Sequence, residues 1–232
     1  ILMARDIAGE KPLYYGYNSN NILVTSDLRV LKNSNTFSKE IDKLAISSYK
    51  LLNYINSDRT VFKSFKKLKP GHFSVIDLKN HKILEYEKFF TLERKNINHL
   101  SSYKNTILNF EHNLINSLKN KLTSDVPVAL MLSSGVDSSL ISILLSEKLD
   151  YKINTYTISF EEKNLNEYKE TNDFCNYFGI ANNEVKVTSN AIKNYVSIMS
   201  QVFSEPFADA SQIPTYLLCN EISKNYKVCL TR

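Results

Sequence analysis

Cysteine is scarce in this sequence: three residues in 232, Cys175, Cys219 and Cys229, with neither the close pairing of a zinc site nor the spacing of a disulfide framework. They read as buried thiols. Long apolar runs are missing as well. Val128–Leu132 is far short of the roughly 20 residues that a spanning helix needs. The opening ILMARDIAGE lacks the charged, apolar and small-residue zones of a signal peptide. The expectation is a cytoplasmic protein with no membrane partner. There is no internal repeat and no low-complexity tract, although Asn is frequent. The net charge of +5 comes from scattered lysines, and FKSFKKLKPGH is the only dense cluster. That pattern suits a solvated surface better than a nucleic-acid footprint, so no nucleic acid is expected as a partner. A hydrophobic content of 43% is enough for one or two globular cores. Both ends read as cut: ILMARD begins in what looks like the middle of a strand, and KVCLTR stops where a strand should deliver its loop.

The first ninety residues alternate short β-like runs with turn signals. KPLYYGY, ILVTSDLRVL and HFSVIDLKNHKILEYEKFF are joined by Asn, Ser and Gly, which predicts antiparallel hairpins, one of them turning at Lys79-Asn80-His81. A helix is expected in SKEIDKLAISSYKLLNYI, with Ile41, Leu44, Ala45, Leu51 and Leu52 on one face and Ser38 as its N-cap. The polar, aperiodic TLERKNINHLSS then marks a boundary, placing domains at residues 1–90 and 91–232. Beyond it, Tyr103, Ile107, Phe110, Leu114, Leu118 and Leu122 recur at helical steps. Val128–Leu132 reads as a strand, Ser138–Lys148 as a helix and INTYTISF as a second strand. Asn166–Phe178 reads as a helix ending at Gly179. NEVKVT reads as a short strand, and SNAIKNYVSIMSQVF as a helix with Ile192, Tyr195, Val196, Met199, Val202 and Phe203 inward. The fold class is therefore an antiparallel α+β part followed by an α/β part with a parallel sheet.

The stretch LMLSSGVDSSLISILLS carries the chemistry. An apolar strand that enters a helix through a glycine-containing turn places the loop at the carboxyl edge of the sheet, where open α/β folds bind ligands. The helix start offers free N–H groups and the positive end of a dipole, and Ser133, Ser134, Ser138 and Ser139 add hydroxyls. A phosphate is the simplest anion for such a loop. Neither the Gly-Lys-Ser/Thr pattern of the ordinary ATPase loop nor three spaced glycines of a dinucleotide fold is present. A carboxylate beside phosphates is repelled unless a divalent cation lies between them, so Asp137 reads as a magnesium ligand. Its other reading is a helix cap.

LSSGVDSS strongly resembles the Leu-Ser-Gly-Gly-x-Asp-Ser-Ser loop of the ATP pyrophosphatases. Three more stretches are similar to segments of the glutamine-hydrolysing asparagine synthetases: ARDIAGEKPLYYGY, KKLKPGH and SEPFADASQIPTYLLCNEISKNYKVCLT. The resemblance covers nearly the whole chain in the right order. It implies that residues 1–90 are the carboxyl-terminal portion of an Ntn-type glutaminase domain, and that 91–232 are the start of the synthetase domain. The implied reaction takes aspartate, ATP and glutamine or ammonia through an adenylated aspartate to asparagine, AMP and pyrophosphate. The implied partners are these small molecules, with a homodimer among the assemblies the resemblance allows. By resemblance Ser133, Ser134, Gly135, Asp137, Ser138 and Ser139 hold pyrophosphate and its Mg²⁺, and Leu132 and Ile158 lie against the adenosine; plain sheet core is the other reading of those two. Glu205 and Asp209, spaced to share one side of a helical turn, would border the synthetase site.

The sequence departs from the family at Ser134 and Ser159, where glycine is usual, and at Arg232, where the family continues Ser-Gly-Asp-Gly. A side chain at 134 would crowd a phosphate that needs close backbone approach. The family's amino-terminal cysteine nucleophile and downstream acidic loop are not in this sequence, so the chain alone is expected to be inactive. Arg5, Asp6 and Lys11 read as structural or interdomain, and His72 and His81 as surface turn residues. An amidotransferase acting on another carboxylate, such as a sugar or cell-surface precursor, and a non-catalytic relative remain open; a tRNA-modifying pyrophosphatase would suit the positive charge, but the glutaminase-like first part argues against it.

Overall fold

The computed structural model describes residues 1–56, 58–91, 102–162 and 166–231. The first elements in chain order are β1 (Leu2–Ala4), β2 (Tyr14–Tyr17), β3 (Ile22–Thr25), α1 (Lys43–Leu52), β4 (Phe65–Lys67), β5 (His72–Asp77) and β6 (Lys82–Lys88). There follow α2 (Tyr103–Lys121), β7 (Val128–Met131), α3 (Val136–Ile143), β8 (Asn154–Phe160), α4 (Tyr168–Phe178) and β9 (Ala181–Val187). The last are α5 (Ser189–Val196), α6 (Met199–Val202), α7 (Gln212–Ile222) and β10 (Val228–Leu230). The chain forms two compact units, Ile1–Asn96 with Ser197–Asp209, and Ile97–Val196 with Ala210–Arg232. Segment 92–101, where the polar composition suggests a boundary, lies outside the described residues, as does Arg232.

The first unit is built from two antiparallel sheets, β1-β5-β6 and β3-β2-β4. Alternation turns Met3 and Ile76 of one sheet and Tyr15 of the other into a shared core with Leu68, all 3% exposed or less. The β5–β6 hairpin turns at Lys79-Asn80-His81, as the sequence predicts, with Asp77 accepting the Lys79 N–H at 2.8 Å. His81 sits at φ +52°. The predicted strand through LRVL is instead a 3-10 helix, Leu28–Asn33, which Asp27 caps by accepting the Arg29 N–H. Leucines three apart share one side of a 3-10 turn, and Leu28 and Leu31 reach the core beside Phe37 and Phe65.

ARDIAGEK forms a structural knot. The Arg5 guanidinium donates to the carbonyls of Lys11, Gly9 and Leu68 at 2.9, 2.8 and 2.8 Å. Asp6 accepts the N–H groups of Ala8, Glu10 and Lys11. These backbone bonds, that of Glu10 foremost, hold the Asp6 carboxyl below its ordinary range. Gly9 is required at φ +67°, where a Cβ would stand 2.6 Å from Pro70 Cγ.

α1 begins later than the sequence suggests. Asp42, not Ser38, is the N-cap, accepting from Leu44 and Ala45, while the Ser38 hydroxyl accepts the Glu40 N–H. Both residue types cap helices; here backbone bonds from Glu40 and Asp42 to Lys63 and Val61 keep residues 40–42 extended, and the Arg59 guanidinium 2.7 Å from Asp42 holds the cap. Burial alone would raise the Asp42 carboxyl; Arg59 and the two helix N–H groups outweigh it and bring it below the ordinary value. Of the expected inward face only Ala45 is buried, and Leu44 and Leu51 are exposed.

The second unit has one parallel sheet, ordered β10-β7-β8-β9. β7 is buried on both faces and alternates between them. Leu130, and Leu132 just beyond the strand, join Leu118, Leu144, Leu145 and Cys175 on one face, and Ala129 joins Tyr156, Val185, Leu218 and Ile222 on the other. α2, α3 and α4 thus cover one face and α7 the other. Gly179 ends α4 in the left-handed conformation, φ +65°, as the sequence predicts.

Four further features differ from the sequence expectation. The helix after β7 starts at Val136 and finishes as a π-turn, Leu144–Lys148. The predicted helix over 189–203 is split into α5 and α6, with no buried residue in either and Val196 60% exposed. Of the three thiols only Cys175 is buried, while Cys219 is exposed. In α2 the apolar face is buried only at Leu118, and Tyr103 and Phe110 are exposed.

Candidate functional site

Sheet order locates the site before any side chain is considered. From β7 the chain steps outward to β8 and β9, then returns to place β10 on the other flank of β7. The reversal lies between β7 and β10, and open α/β sheets hold ligands outside the carboxyl ends of the strands at such a switch point. The loop leaving β7 is Leu132–Gly135.

Within the loop Ser138 is the internal tie. It is 2% exposed, and its hydroxyl lies 3.1 Å from the Ser133 carbonyl, 3.2 Å from the Gly135 carbonyl and 3.0 Å from the Ser133 hydroxyl. The Ser133 N–H donates back to it, and the Gly135 N–H donates to the Ser133 hydroxyl. Gly135 is the N-cap of α3 and provides no side chain to satisfy the first turn. The helix start therefore presents backbone N–H groups that the helix cannot pair, at the positive end of its dipole.

Two loop side chains face outward. Asp137 lies in the first turn of α3 and is exposed. Ser134 is exposed and donates to a Glu167 carboxylate oxygen at 2.5 Å. Ser139 is half-buried, its N–H bonded to the Gly135 carbonyl. Leu132 is 3% exposed and belongs to the core under α3, whereas Ile158 is half-buried on the face that carries Tyr156. Ser159 is buried near the end of β8.

An exposed carboxylate with neighbouring hydroxyls suits a hard cation that keeps its waters and shares phosphate oxygens. Among the described residues no three His, Cys, Asp or Glu side chains converge. Asp137 thus fits a divalent cation as one protein ligand, the ion's remaining ligands being water or phosphate oxygens.

Glu205 and Asp209 belong to the first compact unit, and the backbone from Phe203 to Asp209 is not helical, so they do not share a helical turn. Glu205 accepts from the Val61 N–H at 2.9 Å and the Tyr14 hydroxyl at 3.3 Å, and pairs with Lys67 at 2.8 Å. The same segment is fastened by Arg29 to the Gln201 carbonyl, Lys32 to the Ser200 carbonyl, and the Ala208 N–H to the Asn53 carbonyl. A cavity of about 310 Å³ is lined there by Tyr14, Tyr54, Lys67, Phe203, Glu205 and Phe207.

Residues 109–231 match the Asparagine synthase family, and residues 1–89 match the Glutamine amidotransferase domain. The chain belongs to the asparagine synthase family. A putative asparagine synthetase [glutamine-hydrolyzing] 2 from Methanocaldococcus jannaschii is 28% identical over 100% of this chain and 45% of its own length. Asparagine synthetase [glutamine-hydrolyzing] 1 from Bacillus subtilis is 25% identical over 98% of this chain and 35% of its own. The chain thus spans less than half the length of these two curated relatives. Among solved structures, the NH3-dependent NAD synthetase from Campylobacter jejuni shares 17% identity with a TM-score of 0.38, over 53% of this chain and 54% of that one.

Motif reasoning reached the β7–α3 loop because its signal is local. It missed Glu167, whose role depends on Ser134 at a separation of 33 positions. The one available hint was an acidic residue just before a helical run.

Proposed function

We propose that the complete protein is a glutamine-hydrolysing asparagine synthetase, and that the β7–α3 loop grips the pyrophosphate of ATP. The observation that carries this reading is the hydroxyl-lined loop at the switch point, with Asp137 exposed in a helix start that has no side-chain cap. A bound Mg²⁺ would neutralise charge on the departing pyrophosphate.

The chain's own residues hold the phosphates. The first-turn N–H groups of α3, with the hydroxyls of Ser133 and Ser139, orient the β and γ phosphates, while Ser138 keeps the loop in shape from within. Asp137 would hold the metal. Ile158, half-buried, is offered to the adenosine, while Leu132 supports the loop from the core beneath α3. An aspartate side-chain oxygen attacks the α-phosphorus, the bond to the β-phosphate oxygen breaks, and pyrophosphate leaves. Ammonia released from glutamine by the amidotransferase part then attacks the acyl carbon, AMP departs and asparagine forms. No lysine of the loop is available to reach a γ-phosphate, which suits a leaving pyrophosphate better than a transferred phosphoryl group.

Chromatography of nucleotide products tests this. The complete protein with ATP, Mg²⁺, aspartate and ammonium should give one AMP and one pyrophosphate per asparagine, and turnover should fall sharply without aspartate. ADP with inorganic phosphate refutes the reading. AMP without asparagine keeps the mechanism and moves the acceptor to another carboxylate.

A further inference from the structure

The departure at Ser134 has a partner. Its hydroxyl donates to Glu167 Oε2 at 2.5 Å, and Glu167 is not placed by chance of a loop. It is the N-cap position of α4, its carbonyl accepting the N–H of Thr171 and, at 2.8 Å, the Thr171 hydroxyl. Thr171 is 2% exposed, so the start of α4 is anchored in the core. The Glu167 carboxylate does not cap its own helix; it reaches to the loop after β7 instead. A negative charge is thereby tethered to the loop whose helix start is otherwise arranged to attract an anion.

Resting on the reading of this loop as the pyrophosphate grip, we propose that Glu167 is a positioning residue that makes the loop select metal-bound nucleotide. Held by Ser134, its carboxylate repels bare phosphates and tolerates phosphates whose charge a divalent cation has offset. It acts through the Ser134 hydroxyl and needs no contact with the reacting atoms. A glycine at 134 could not hold it.

Isothermal titration with ATP in magnesium, ATP in chelator, and AMP tests the proposal on the complete wild-type protein, Glu167→Gln and Ser134→Gly. Both side chains are exposed, so folding is not at risk. The readout is the ratio of the dissociation constant for metal-free ATP to that for magnesium ATP. This ratio should fall at least about threefold in each variant, the effect shrinking as ionic strength rises. AMP, which lacks the β and γ phosphates, should bind all three proteins alike. A merely structural contact would shift every ligand together or none. A ratio that stays unchanged in both variants, with the wild type binding ATP, overturns the clasp alone. Absence of ATP binding in all three proteins, with and without magnesium, overturns the nucleotide reading and the clasp with it.

Discussion

Glu205 and Lys67 form an ion pair of 2.8 Å with only 12% and 18% of their side chains exposed. Both carboxylate oxygens are used, since Oε1 accepts the Val61 N–H while Oε2 faces Lys67 and the Tyr14 hydroxyl. The pair secures a segment that would otherwise be a loop on the first unit. Removing one member leaves the other charge poorly solvated, which is more damaging than never having had the pair.

Glu205→Ala is therefore expected to destabilise the first unit by about 2–4 kcal/mol. Urea unfolding followed by circular dichroism should show the loss, and the Glu205→Gln, Lys67→Met double variant should recover part of it. A change below about 0.5 kcal/mol would place the pair among inert surface contacts.

Alkali should act on Tyr14 of this cluster and on two further buried groups, Tyr15 and Cys229. Burial, and then the Glu205 carboxylate, push the Tyr14 hydroxyl up to about 12, burial does the same for Tyr15, and burial raises the Cys229 thiol to about 11. The unfolded chain releases these protons at its ordinary, lower values while the folded chain retains them. Their contribution to stability is thus complete below about pH 9 for the thiol and 10 for the tyrosines, and is lost as pH rises to about 11 and 12. Denaturation at pH 8, 10 and 11.5 should show a steepening loss. Tyr14→Phe should flatten it by on the order of 2 kcal/mol across the window. An unchanged slope would mean that Tyr14 ionises freely.

Asp137→Asn keeps size and removes charge. Because the side chain is exposed, stability should stay within about 0.5 kcal/mol of wild type. Magnesium-dependent ATP turnover by the complete protein should fall about 100-fold or more. Normal turnover with normal magnesium dependence would return Asp137 to the role of an acidic residue favouring a helix start.

How much of this was legible depends on range. The strand, loop and helix from Val128 to Ile143 follow from a continuous apolar run and a change of period, both local signals. Asp42 and Ser38 are equal as caps in the sequence, and the partners that favour Asp42, the 61–63 backbone and Arg59, come from some twenty positions away. LRVL fits a strand or a 3-10 turn equally until Asp27 closes one. The partners of Ser134 and Glu205 lie beyond any period that a helix or strand can impose, so neither contact could be read from spacing.

The family match over 109–231 includes Ser197–Asp209, yet those residues belong to the first compact unit. The chain accordingly passes from one unit to the other three times, and the line drawn by ancestry is not the line drawn by packing. Cut at the polar segment near residue 96, the amidotransferase piece would lose its own clasp on Lys67 and Tyr14, and the synthase piece would carry away a strap with nothing to fasten it. A cut along the sequence boundary therefore takes residues 197–209 away from the unit they pack with, and only a fragment that keeps them carries the first unit whole.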